Sequence, residues 1–111
     1  MTINIQEHLA TPFNLEGHVD YSEGSVVSKT LLKKKVGNIT LFAFDAGQGL
    51  SEHTAPFDAV VHILDGAAEI TIGGKPQTVV KGDMLIMPAN ISHSLHGHER
   101  FKMLLVMIRS E

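Results

Sequence analysis

Apolar and polar positions along this chain change places over short distances, and glycine or proline closes almost every run. Ser25 to Lys34 is rich in β-branched and apolar residues, and Gly37-Asn38 predicts a tight turn into the run Ile39 to Phe44. Val60 to Leu64 ends at Asp65-Gly66, a dipeptide that ordinarily marks a turn. Ala67 to Ile72 alternates, with Ala68, Ile70 and Ile72 on one face and Glu69 and Thr71 on the other. Gly73-Gly74 predicts a hairpin into Gln77 to Val80, and Lys81-Gly82-Asp83 turns into Met84 to Met87, which Pro88 ends. The last predicted strand is Phe101 to Ile108. Residues 1 to 20 show no sustained helical period and read as a lead-in segment with one short strand. Many short strands with glycine turns predict an all-β sandwich or barrel in one domain covering residues 1 to 111.

Composition narrows the chemistry. The chain has no cysteine, which removes disulfides, zinc–thiolate sites and thiol nucleophiles. Its net charge of −3 provides no electrostatic footprint for nucleic acid. The run Lys33-Lys34-Lys35 reads as a solvated strand end. No apolar stretch reaches bilayer-spanning length, and the start MTINIQEHLA lacks the features of a signal peptide, so the expectation is no membrane and a cytoplasmic location. Seven histidines in 111 residues direct attention to metal ligation.

Two of those histidines stand among the turn glycines. Gly47 precedes His53 and Gly66 follows it. Gly82, Pro88 and His93 succeed one another in a second group, with Asn90 between the last two. This arrangement over residues 40 to 108 resembles the cupin superfamily. The first cupin motif carries a Gly, two His one residue apart, a Glu and a closing Gly; the second carries Gly, Pro, Gly, His and Asn. Asn90 occupies the second motif's inner Gly position and Gly97 its closing Asn, and asparagine is a non-glycine residue that tolerates left-handed backbone. Ala55 stands at the second His position and Ala59 at the Glu position.

The resemblance implies a jelly-roll barrel, also called a double-stranded β-helix, with one pocket containing His53 and His93. It also implies a divalent transition metal (Fe, Mn, Ni or Zn) in that pocket, with oxygenase, isomerase or lyase chemistry on a small molecule. With Ala55 and Ala59 at two ligand positions, His62 and Asp58 are the candidates to complete the metal set. Strict alternation turns His62 outward, whereas a bulge before position 60 would bring both inward. Phe57 is the candidate pocket-wall aromatic, and His96 is expected to face away from His93. Met84, Met87, Met103 and Met107 read as core filling rather than thioether ligands.

Two other readings stay open: a metal-free module that binds or senses a small molecule, and an acid–base enzyme pairing a His with Asp58, for which Tyr21 is the only tyrosine. The resemblance further implies a homodimer, with Ile3, Ile5, Leu9 and Phe13 in a lead-in strand available for exchange.

Overall fold

Gly37 to Phe44 and Phe101 to Arg109 are apolar at nearly every position, and a computed structural model explains why: both strands are covered on both faces. The structure describes residues 9–109. Strands run β1 (Val26–Lys34), β2 (Gly37–Phe44), β3 (Gly49–His53), β4 (Phe57–Ile72), β5 (Lys75–Val80), β6 (Met84–Met87), β7 (His93–His96) and β8 (Phe101–Arg109). The neighbours in the curled sheet are β1-β2-β8-β4-β7-β3, with β5 and β6 also paired to β4. Every pairing is antiparallel. The predicted all-β barrel is what forms.

β4 is the strand that curls the sheet. Its first half lies between β6 and β8, and its second half between β5 and β7. The predicted turn at Asp65-Gly66 is corrected here: the chain stays in one strand, and the register against β8 slips between Ile63 and Asp65. Gly66 takes φ +72 at this bulge and pairs with Phe101. A bulge adds twist without ending a strand, and glycine reaches the left-handed region without a Cβ penalty. Gly73 and Gly74, both at positive φ, form the predicted two-residue hairpin between Ile72 and Lys75.

The inner core packs Phe44, Val61, Ile63, Ile70, Leu95, Phe101 and Met103 between the two halves of the curl. Phe44 and Phe101 stack with ring centroids 4.3 Å apart. A second cluster of Val19, Leu31, Leu41, Ala43 and Leu64 lies outside it, under the lead-in segment. Cations fasten that segment: Lys102 Nζ donates to the Glu16 carbonyl at 2.7 Å and Lys29 Nζ to the His18 carbonyl at 2.6 Å. The Tyr21 hydroxyl donates to Asp65 at 2.5 Å, and burial followed by this partner raises its pKa.

The described part of the lead-in holds a 3-10 turn, Glu16–His18, and no strand. The exchange-strand residues Ile3 and Ile5 lie outside the described residues. No helix among the described residues is long and apolar enough to cross a membrane.

Candidate functional site

β3 and β7 pair with a register irregularity between Leu50 and His53, and the pairing sets His53 opposite His93. Each imidazole is oriented by its own backbone. His53 Nδ1 lies 2.7 Å from the Ser51 carbonyl and His93 Nδ1 lies 3.2 Å from the Ile91 carbonyl. A carbonyl can only accept, so Nδ1–H is the donor in both rings and each Nε2 is left with its lone pair. Those two Nε2 atoms converge to 3.1 Å, with the rings inclined at 71°. Two facing lone pairs repel unless a proton or a cation lies between them. The tautomers set by the backbone thus build a site with affinity for a positive charge.

Loop contacts hold this geometry. Asn90, at φ +66, takes the left-handed conformation its place in the sequence predicts, and its N–H donates to the Ala55 carbonyl at 2.8 Å. The loop carrying His93 is thereby tied to the one that follows His53.

A cavity of about 210 Å³ opens beside the pair. Its remaining lining is apolar: Leu50, Ala55, Ala59, Leu95 and Leu105, with the methionines Met87, Met103 and Met107. His53 is exposed at the mouth, whereas His93 is 5% exposed. Burial, more than the neighbouring His53, holds the His93 pKa below the usual imidazole value, against an opposing pull from the Ile91 carbonyl. The folded chain therefore binds fewer protons here than the unfolded chain does. Stability is retained above the ordinary value of 6.5 and declines as the pH falls below it. Urea midpoints measured from about pH 7 to 5 should fall, and His93→Gln should fall less steeply over that window. Equal slopes would show that His93 is not the group responsible.

The structure brings His53 and His93 together and leaves the other sequence candidates apart. Ala59, Val61 and Ile63 point into the core, so His62, which pairs with Met84 and Leu104, lies on the opposite face. The bulge that would have turned His62 inward falls after it, at Ile63 to Asp65, and so cannot change its side. Asp58 shares that outward parity, and its carboxylate accepts the Ala89 N–H at 2.9 Å, bracing the loop after β6. Phe57 lies beyond the cavity wall, with the Arg109 guanidinium 5.5 Å from its ring centroid. His96 is absent from the cavity lining and its ring lies 4.6 Å from that of His98. Among the described residues, no three His, Cys, Asp or Glu converge on a point.

Sequence reasoning passed over the methionines as lining groups. Met87 on β6 and Met107 on β8 are both register partners of Ala59. Three side chains in a row thus cross the cavity wall, with alanine in the middle.

Comparisons with known proteins agree with this geometry. A conserved Streptococcus pyogenes protein of unknown function is 40% identical with a TM-score of 0.90, covering 100% of this chain and 96% of that one. A cupin superfamily protein of Desulfitobacterium hafniense is 32% identical with a TM-score of 0.86, covering 91% and 93%. An uncharacterized Streptomyces coelicolor protein is 31% identical over 65 residues, which span 59% of this chain and 62% of that protein. The sequence profile of the cupin domain matches residues 40–108. A chain with this curled antiparallel sheet, this motif spacing and this profile match belongs to the cupin family.

Proposed function

We propose that the cavity holds a transition-metal ion through Nε2 of His53 and Nε2 of His93, leaving further coordination positions open to a small molecule. The observation that carries this reading is the convergence of two Nε2 atoms at 3.1 Å while both Nδ1 atoms are committed to backbone carbonyls. The distance fits shared ligation: nitrogens this far apart and each about 2.05 Å from one ion subtend an angle of about 98° at it, between the octahedral and tetrahedral values. The depressed proton affinity of His93 favours the ion over a competing proton near neutral pH. When bound, such an ion supplies Lewis acidity to an oxygen or nitrogen group of the small molecule. The chain's own contribution is to orient both imidazoles and to surround the small molecule's body with apolar wall.

A second reading, a metal-free module for small apolar molecules, draws on the same wall, because the two imidazoles are its only polar side chains among the described residues. Metal analysis separates the two. Protein purified without an affinity tag should carry close to one equivalent of metal, and added metal at a hundredfold excess over Kd should stabilise it by about 2.7 kcal/mol. His93→Ala should lose both effects. Less than about a tenth of an equivalent, with no metal-dependent rise in Tm, would favour the metal-free module.

A further inference from the structure

We infer that the metal suited to this cavity is reduced copper, Cu(I), held by the two imidazoles together with the thioether sulfurs of Met87 and Met107. The inference rests on the two-histidine metal site proposed above and specifies its ion, with the thioethers filling two coordination positions that a small molecule would otherwise take.

Among the described residues, the cavity wall contains two imidazoles and three thioethers as its side-chain donors and no carboxylate, hydroxyl or amide. Hard divalent ions draw their affinity from oxygen ligands, and none of the cavity's side chains offers one. Thioethers are soft donors that favour Cu(I), and Cu(I) carries no requirement for an octahedral shell.

Position strengthens the argument. Ala59 is 4% exposed and sits between Met87 and Met107 on the neighbouring strands. Directly opposed residues on adjacent antiparallel strands have their Cβ atoms about 5 Å apart. The methyl of Ala59 leaves space that a longer side chain would occupy, and the two flanking methionines border that space. Met87 is 2% exposed, so its sulfur is withdrawn from bulk water. A flexible, unbranched side chain can bring its sulfur to an ion without moving the backbone. Met103 also lines the cavity but pairs with Ile63, four pairs along β4 from the Ala59–Met107 pair, and so does not flank Ala59.

Binding requires no redox step. Two imidazoles and two thioethers donate lone pairs to a monovalent cation, which displaces the proton shared between the two Nε2 atoms while the Nδ1–H groups stay on their carbonyls. The complex carries a single positive charge, which suits an apolar wall better than a divalent ion does.

The test is an anaerobic titration of the untagged full chain with Cu(I), in competition with bicinchoninate, beside a Zn(II) titration of the same samples. The double variant Met87→Leu/Met107→Leu keeps side-chain volume and apolarity while removing both sulfurs. One equivalent of Cu(I) should bind the wild type, and the double variant should bind it at least about tenfold more weakly with Zn(II) affinity unchanged. A copper–sulfur shell in the X-ray absorption spectrum should disappear in the same variant. Equal Cu(I) affinity in both proteins, an equal loss for Cu(I) and Zn(II), or Zn(II) binding without Cu(I) binding would each overturn the thioether assignment while leaving the two-histidine site intact. Absence of binding by either metal would overturn the metal-binding reading itself.

Discussion

Gly66→Ala is expected to cost at least about 3 kcal/mol, a large fraction of the roughly 5–15 kcal/mol by which a domain is ordinarily stable. Two penalties combine. The residue has φ +72, a region where an added Cβ costs about 1–2 kcal/mol. A Cβ here would also run into the carbonyl oxygen of Arg100 on the adjoining chain, which is backbone and cannot rotate away. The bulge would have to open, and with it the pairing of Gly66 with Phe101 and the 3.0 Å bond from Lys81 N–H to the Gly66 carbonyl. Gly82→Ala is the control: φ is +93 there, but nothing lies within 4 Å of the added atom. That variant should lose about 1–2 kcal/mol, the backbone term alone. Urea unfolding of the two proteins side by side decides the matter. A Gly66→Ala loss no larger than that of Gly82→Ala would mean the bulge can absorb the methyl, and that β4 does not need glycine to turn between the halves of the sheet.

Ala59→Glu is expected to weaken the metal-free protein and to strengthen its hold on a divalent ion. Ala59 lies between Met87 and Met107 at the cavity wall, 4% exposed, with no basic side chain lining the cavity beyond the two imidazoles. A carboxylate placed there without an ion is desolvated and poorly paired, a cost of about 3 kcal/mol. Zn(II) or Mn(II) supplies the missing counter-charge, and the glutamate supplies a third ligand beside His53 and His93. The metal-induced rise in Tm should therefore be larger in the variant than in the wild type, with most of the lost stability regained at saturation. Thermal melts with and without each ion provide the measurement. If the ion stabilises the variant no more than the wild type, then position 59 does not face the histidine pair, and the argument that Met87 and Met107 border the same space fails with it.

Both expectations concern places where local sequence was informative to different degrees. The hairpin at Gly73-Gly74 and the left-handed Asn90 were legible because a tight turn is decided by the φ values its own residues tolerate. His53 and His93 were legible as a pair from motif spacing, and their shared environment follows from the pairing of β3 with β7. Asp65-Gly66 misled for the same local reason: a dipeptide suited to positive φ serves a bulge as well as a turn. Only the continuation of hydrogen bonding to β7 and β8 distinguishes the two. The outward side of His62 followed from counting alternate residues, once it was known that the slip falls after it.

Met87 and Met107 lie beyond what such counting reaches. They are twenty residues apart in the chain, on strands whose neighbour is β4 rather than each other. Within their own strands they look like any other apolar core position, and no periodicity says that both will flank Ala59. The strand β8 is similar: its apolar run from Met103 to Ile108 signals burial on both faces, but which groups cover each face depends on where the lead-in segment lies.

What this sequence determined by itself was thus the strand periodicity, the two histidines and most of the turns, because each is written in residues close together along the chain; Asp65-Gly66 forms a bulge instead, and the turn expected at Gly37-Asn38 falls at Lys35-Val36. The tertiary structure decided how β4 divides between two sheet halves, which tautomers the histidines adopt and which side chains line the cavity with them. Those outcomes depend on pairings between distant strands, and a shift of one residue in any of them exchanges the inward and outward sets.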